Sequence, residues 1–135
     1  MADTPDDNHD TVQSVMTNQV VAIVPNATLE TALKLMAETR VRHLPVIDDE
    51  RCVGLLHEAD ILWALWTHGP TERTVAECCR RPAPFVTARD SVATAAAHIH
   101  QTGADATLVT DNGALVGILT AIDILGYVAR NRVGS

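Results

Sequence analysis

Residues 117–123 read Gly-Ile-Leu-Thr-Ala-Ile-Asp, and residues 54–60 read Gly-Leu-Leu-His-Glu-Ala-Asp. The glycine and the aspartate of one stretch each stand 63 positions from their counterparts in the other (117 minus 54 and 123 minus 60). The surrounding residues keep this offset without a gap, and six identical pairs recur at it: Thr31 and Thr94, Ala32 and Ala95, Thr39 and Thr102, Val46 and Val109, Asp48 and Asp111, and Leu56 and Leu119. Self-similarity at a fixed spacing indicates an internal repeat, so the chain contains one structural pattern twice.

Each copy begins with a strand and a helix. The β-branched run over 20–24 predicts a short strand, and its counterpart over 83–87 is weaker because Pro84 interrupts it. Thr28 and Ser91 are the expected caps of the helices that follow. Apolar residues then recur with helical spacing at Leu29, Ala32, Leu33 and Met36, and at Val92, Ala95, Ala96 and Ile99. This spacing predicts that both helices bury one face.

Each copy ends with a hairpin and a second helix. The predicted hairpin strands cover residues 44–47 with 53–56, and 107–110 with 115–119. The sequence Asp-Asn-Gly over 111–113 gives the clearer of the two turn signals. Helices are expected over 58–66 and 121–129. The order in each copy is therefore strand, helix, strand, strand, helix, which defines an α+β fold.

The repeat also predicts how the chain is organised. We expect a disordered acidic tail over 1–12, a first repeat over 13–66, a polar linker over 67–74, a second repeat over 75–130 and a C-terminal tail over 131–135. A repeat of about 60 residues has too little apolar surface for secure stability alone. The two repeats should therefore pack together with pseudo-two-fold symmetry, and the cleft between them is the expected ligand site.

Composition narrows the range of partners and compartments. The net charge of -7 at pH 7 opposes attraction to nucleic acid or to an anionic membrane surface. No apolar run approaches the roughly 20 residues needed to span a bilayer, and residues 1–10 lack the features of a secretory signal. The three cysteines, Cys52, Cys78 and Cys79, lack the spacing of a zinc or redox motif. We therefore expect a cytoplasmic protein that binds neither membranes nor nucleic acid.

Three features of the sequence resemble the CBS domain, a family named for cystathionine β-synthase. They are Val-Met-Thr over 15–17, Leu-Pro-Val-Ile-Asp over 44–48, and a motif of glycine, two apolar residues, Thr or Ser, two further residues and Asp. The motif is intact over 117–123, whereas His57 replaces its Thr or Ser in the first copy. The resemblance covers about residues 13 to 130 and implies two tandem CBS repeats, a pair known as a Bateman module.

The resemblance implies that the motif aspartates, Asp123 and Asp60, each accept hydrogen bonds from the two hydroxyls of a ribose. Thr120 is expected to offer its hydroxyl, beside free backbone N–H groups, to a phosphate. His57 leaves the phosphate part of the first site in doubt. An alternative stays open, in which Thr120 and Asp123 form a capping box at the start of the last helix. The two roles are compatible.

Further ligand contacts are expected near the strands. Arg42 and His43 lie in the densest basic patch, and Arg suits phosphate because of its planar fork of donors. The matching residue of Arg42 is Asp105, which would repel a phosphate, so the two sites should not be equivalent. A solvated surface corner is the alternative for this patch. The resemblance also implies adenine contacts from Thr17, Val21, Ala22, Val41 and Leu44, most of which also suit an ordinary core.

The expected function is therefore the sensing of an adenosyl compound: AMP, ADP, ATP, S-adenosylmethionine or an NAD-like molecule. No catalytic residue, no metal site and no required cofactor are expected, and a bound adenosine nucleotide is the anticipated ligand. Output would pass to an unknown effector protein. Trp63 and Trp66, three residues apart, are expected at a homodimer interface rather than in the core. The alternatives are a ligand-independent dimerisation module, and a metal or redox sensor that uses His and Cys.

Overall fold

A computed structural model describes residues 11–69 and 72–133, with side chains up to residue 131. Residues 1–10 of the expected tail over 1–12, residues 70 and 71 of the expected linker, and residues 134 and 135 lie outside the described residues. The elements in chain order are α1 (Val12–Val15), α2 (Leu29–Thr39), β1 (His43–Asp48), β2 (Arg51–His57), α3 (Glu58–His68), α4 (Val75–Cys78), β3 (Phe85–Thr87), α5 (Val92–Thr102), β4 (Ala106–Asp111), β5 (Ala114–Thr120) and α6 (Ala121–Val133). The predicted α+β pattern of two repeats is confirmed.

The chain forms two compact units whose boundaries differ from those of the sequence repeats. Among the described residues, the first-repeat unit comprises 21–69 and 72–84, and the second-repeat unit comprises 11–20 together with 85–133. We call residues 12–17 and 75–80, which are related by the 63-residue offset, the lead segments. The lead segment at the start of the first repeat therefore belongs to the second-repeat unit, and the one at the start of the second repeat belongs to the first-repeat unit.

Each unit is built on an antiparallel hairpin covered by helices. In the second-repeat unit the sheet order is β3-β4-β5, with β3 parallel to β4 and β4 antiparallel to β5. Its core contains Val12, Val86, Ala88, Ala95, Val109 and Leu119. In the first-repeat unit β1 pairs with β2, and the core includes Leu29, Met36, Leu44, Val46, Leu56 and Ile61. Both hairpins are confirmed, and both have a register shift at matching positions, after Val46 and after Val109.

The predicted helix starts are also confirmed. The side chain of Thr28 accepts a hydrogen bond from the backbone N–H of Thr31, and Ser91 does the same for Thr94. These caps satisfy backbone donors that a helix start leaves without an intrahelical partner. The faces that α2 and α5 bury are the apolar stripes expected from the sequence, since Leu29, Ala32, Val92 and Ala95 are all buried.

The first strand differs from the expectation in one copy. Only Ile23 of the run 20–24 pairs with β1, whereas the Pro-interrupted counterpart forms the three-residue strand β3. The cause is the residue that follows the strand. Ala88 donates its N–H to the Thr110 carbonyl at 2.8 Å, but its counterpart Pro25 has no N–H to extend the ladder. The stronger strand expected from β-branched residues over 20–24 is therefore wrong.

The lead segments pack onto the glycines of the repeated motif. A Cβ added at Gly117 would lie 2.5 Å from Met16 Sδ and 2.9 Å from the Thr17 carbonyl oxygen. A Cβ added at Gly54 would lie 2.8 Å from Cys79 Sγ and 2.9 Å from the Arg80 carbonyl oxygen. Backbone pairing fixes this approach, because Thr17 and Ile118 exchange two hydrogen bonds, as do Arg80 and Leu55. The motif requires glycine because another segment occupies the space of a side chain.

This packing predicts that Gly117→Ala lowers the free energy of unfolding by about 1–3 kcal/mol, since the methyl group must displace the lead segment. Gly126→Ala in α6 is the matched control. Its Cβ meets only the flexible end of Arg130, at 3.3 Å, so replacing glycine inside a helix should stabilise the protein by about 0.5–1 kcal/mol. Urea denaturation measures both changes. Equal effects of the two substitutions would contradict the packing constraint.

Candidate functional site

The start of α6 in the second-repeat unit contains a capping box. The Thr120 backbone N–H donates to Asp123 Oδ2 at 3.0 Å, and the Asp123 N–H donates to Thr120 Oγ1 at 3.1 Å. Two backbone donors at the helix start are thereby satisfied reciprocally. The structure therefore contains the capping arrangement that the sequence left open beside ribose binding. The capping box also fixes the rotamer of the Asp123 side chain.

The lead segment adds a third group to this site. Thr17 Oγ1 lies 3.4 Å from both carboxylate oxygens of Asp123, so its hydroxyl makes only a long contact. Of the residues predicted to contact a ligand, Thr17, Thr120 and Asp123 are brought together here. A carboxylate offers about four lone-pair directions. The capping box and Thr17 leave acceptor capacity on Asp123 for the two vicinal hydroxyls of a ribose.

The N–H groups expected for a phosphate are partly used. Ala121 donates its N–H to the Asp105 carbonyl at 2.8 Å, and the Asp123 N–H is held by Thr120. The expectation of free N–H groups is therefore wrong for these two residues. Asp105 is exposed and brings a second carboxyl residue to the start of α6. The arrangement favours hydrogen-bond donors over anions.

The equivalent aspartate of the first-repeat unit has a different partner. Arg80 donates from Nε to Asp60 Oδ2 at 2.8 Å and from Nη2 to Asp60 Oδ1 at 3.3 Å. This is a bidentate ion pair, in which the Arg80 side chain is 46% exposed and the Asp60 side chain 31% exposed. His57 stands at the N-cap of α3, is buried, and makes no side-chain capping hydrogen bond. Asp60 is thus paired with a cation, an interaction that the motif did not indicate.

The basic patch lies in the first-repeat unit. The Arg42 carbonyl accepts the Glu58 N–H at 2.9 Å, while Arg42 Nε is 4.0 Å from Glu58 Oε1, at the limit of an ion pair. The Arg42 side chain is 76% exposed, and the His43 ring contacts the His57 ring edge-on with centroids 5.0 Å apart. The side chain of Arg42 is available to a solvent anion, and its role toward phosphate stays a prediction.

The apolar residues predicted to contact adenine divide by exposure. Val21 and Val41 are half-buried and pack against the core of the first-repeat unit, and Ala22 is exposed. Leu44 has no accessible surface and belongs to that core. Leu44 is therefore a packing residue, and its contact with a ligand stays a prediction. The contribution of the other three stays a prediction.

The three cysteines lie together in the first-repeat unit and are half-buried. Burial raises the pKa of the Cys52 thiol and of the Cys78 thiol above its usual value. The thiolate is the form that binds metals and reacts with oxidants. These surroundings therefore disfavour the alternative of a metal or redox sensor that uses Cys.

The two closing helices expose apolar side chains. In α3, Trp63 and Trp66 are 68% and 84% exposed, and Leu62 is also exposed. In α6 the exposed apolar residues are Ile122, Leu125 and Val128. The two tryptophans are thus surface residues and do not form part of the core. Within the described ranges, each helix is too short or too polar to cross a lipid bilayer.

Comparison with known proteins agrees with this architecture. The family model described as the CBS domain matches the chain twice, over 12–67 and 75–130. An uncharacterized protein of Methanocaldococcus jannaschii is 29% identical over 119 residues, which cover 87% of this chain and 39% of that protein. The chain spans only about a third to two-fifths of the length of the first curated relatives it matches.

Two solved structures share the fold. A CBS domain structure is 26% identical, with a TM-score of 0.81 and coverage of 88% of this chain and 97% of that one. A CBS domain pair solved in complex with 5-methylthioadenosine and S-adenosyl-L-methionine is 22% identical, with a TM-score of 0.82 and coverage of 90% and 97%. At this identity the second likeness establishes the architecture alone.

The capping box predicts that Thr120→Ala lowers the free energy of unfolding by about 1 kcal/mol, because the Asp123 N–H loses its acceptor. Thr120→Ser retains the hydroxyl oxygen and is the matched control, with little change expected. Chemical denaturation of the three proteins gives the comparison. If Ala and Ser at this position were equally stable, the side chain of Thr120 would not cap α6.

Proposed function

Since the chain belongs to the CBS domain family, we propose that it is a regulatory module that binds an adenosyl compound at Asp123 and performs no chemistry of its own. The candidate ligands are AMP, ADP, ATP, S-adenosylmethionine and NAD-like molecules, which share an adenosine group. The observation that supports this proposal is the Asp123 carboxylate. It is held in one orientation by the capping box, and it keeps acceptor capacity for two ribose hydroxyls.

The ligand would act by shifting a population. A compound that binds one conformation of the chain more tightly than another raises the fraction of the tighter-binding form. We assign the output to an effector protein whose activity the chain would regulate. The complex with methylthioadenosine and S-adenosylmethionine, solved for a CBS domain pair of the same fold, supports testing such ligands first.

A thermal-shift panel tests the proposal against its alternatives. A ligand that binds only the folded state stabilises it by about 2.7 kcal/mol at a hundred times its dissociation constant. The panel contains the adenosyl compounds above, guanosine and cytidine as matched nucleosides, divalent metals, and a thiol oxidant. We expect stabilisation by adenosyl compounds alone. A response confined to metals or oxidant would support the sensor alternative, and no response would support the dimerisation module.

The site predicts that Asp123→Asn lowers the affinity for the stabilising adenosyl compound by about 10- to 100-fold, because neutral hydrogen bonds replace those to a charged group. Glu38→Gln is the control, since it removes one negative charge from an exposed side chain of α2, and its affinity should stay unchanged. Isothermal titration calorimetry measures the affinity and thermal melting the stability. A loss of stability in Asp123→Asn without any loss of affinity would reduce this residue to its capping role.

The second candidate function, homodimerisation, is favoured by the exposed apolar faces of α3 and α6. Trp is enriched among residues that dominate interface energetics, and two such side chains are more than two-thirds exposed here. Association of two copies through these faces would remove that surface from water. Dimerisation is compatible with ligand binding, since Asp123 is itself half-buried in α6 rather than part of the exposed face.

Light scattering at about 50 µM, a concentration suited to micromolar association, should give twice the monomer mass of 14.5 kDa. The double variant Trp63→Gln and Trp66→Gln should shift the protein toward monomer. Phe85→Gln is the matched control, because Phe85 is an exposed apolar residue on strand β3. A wild-type monomer at this concentration would contradict the dimer.

A further inference from the structure

Positions 17 and 80 are equivalent under the repeat, and the structure gives them the same backbone role. Each follows a sulfur-containing residue, Met16 or Cys79, that packs on the motif glycine. Each exchanges two backbone hydrogen bonds with the second strand of its hairpin. Each also directs its side chain at the motif aspartate of its own unit. The geometry is thus shared, but one side chain is a hydroxyl and the other is a guanidinium.

We infer that Arg80 closes the Asp60 carboxylate to a ribose, so that the residue at position 17 or 80 decides which unit binds and the chain takes one adenosyl ligand, at Asp123. This inference rests on the proposed function and adds to it a specificity-determining residue. It names a role for an arginine that lies outside the repeated motif.

The first observation that supports the inference is the strength of the contact between Arg80 and Asp60, which a ribose would have to replace. Arg80 occupies both oxygens of Asp60, at 2.8 and 3.3 Å, with charge-assisted hydrogen bonds. In these bonds both partners are charged, whereas a ribose hydroxyl would bring no opposite charge to the carboxylate. Displacing the guanidinium therefore replaces stronger hydrogen bonds by weaker ones. Thr17 makes contacts of 3.4 Å with Asp123, and these contacts give way at little cost.

The second observation that supports the inference is the difference between the N-termini of α6 and α3. Thr120 and Asp123 hold each other in a capping box, so the Asp123 carboxylate has a fixed orientation before any ligand arrives. The equivalent of Thr120 is His57, whose side chain makes no capping hydrogen bond. The carboxylate of Asp60 is held by Arg80. Both differences, at positions 17 and 80 and at the N-cap, favour ligand binding at Asp123 over Asp60.

Exchanging the two side chains tests the inference. Adenosine, AMP and S-adenosylmethionine are each titrated calorimetrically into the wild-type chain, Arg80→Thr and Thr17→Arg. The wild type should bind one equivalent per chain and Arg80→Thr two. Thr17→Arg should bind at least about tenfold more weakly than the wild type. Thr17 has an exposed side chain and pairs through its backbone, so the fold should tolerate arginine, and melting curves verify this.

Arg81→Thr is the matched control, because it removes the same charge from the adjacent exposed residue and should behave as the wild type. In the wild-type background, Asp123→Asn should lower affinity and Asp60→Asn should leave it unchanged. With 2′-deoxyadenosine, which lacks one of the vicinal hydroxyls, both equivalents in Arg80→Thr should weaken, since each depends on the carboxylate of a motif aspartate.

Three results would overturn the inference while leaving the proposed function intact. They are two equivalents in the wild type, one unchanged equivalent in Arg80→Thr, and loss of binding in Asp60→Asn rather than Asp123→Asn. A second AMP equivalent in the wild type that disappears in Arg80→Thr would make Arg80 a phosphate ligand and would also overturn it. Absence of binding by every variant and every probe would instead contradict the proposed function and the inference together.

Discussion

The close approach of a lead segment to a glycine organises each unit. At Gly117 and Gly54 a backbone carbonyl and a sulfur atom lie within 3 Å of the place that a Cβ would take. This contact locks the lead segment to the second strand of the hairpin, and the strand ends at the motif aspartate's helix. The position of residue 17 or 80 beside that aspartate follows from the same contact. Without glycine at these two positions, the lead segment could not hold residue 17 or 80 at a fixed distance from the motif aspartate.

The repeat made much of this structure predictable. Identical residues at one spacing indicated the two hairpins and the capped helices, and Thr120 with Asp123 already suggested a capping box. The four-residue helices α1 and α4 were not predicted, because they are too short to show a periodicity. The short first strand was misjudged because pairing there depends on one N–H donor, which Pro25 lacks, rather than on β-branched residues.

The ion pair between Arg80 and Asp60 could not be predicted from the sequence, for a different reason. Arg80 matches Thr17, and residues that differ between copies give no repeat signal. Arg80 and Thr17 also lie in the two lead segments, whose units could not be assigned from the sequence, because each lead segment packs with the other repeat. The 63-residue offset, applied to the differing positions as well as to the identical ones, would have flagged this pair.

The backbone roles recur more faithfully than the side chains. The carbonyls of Arg42 and Asp105 each accept the N–H of the first helical residue, at 2.9 and 2.8 Å, although one residue is a cation and the other an anion. Duplication has therefore kept the hydrogen bonds that build the fold, while the groups that face a ligand differ in charge. A shared fold does not fix the chemistry of its sites, and this holds even within one chain.

The placement of the first lead segment has a consequence for how the protein is made. Thr17 and Asp123 are 106 positions apart in sequence, so their unit closes only after residue 123 has left the ribosome. During synthesis the first lead segment therefore stays unpacked, and Val12 and Met16 remain exposed to solvent until the intervening residues have emerged. Contacts of such long separation slow folding, because the entropy of loop closure must be overcome before they form. The second-repeat unit is thus assembled from two segments that are translated before and after residues 21–84.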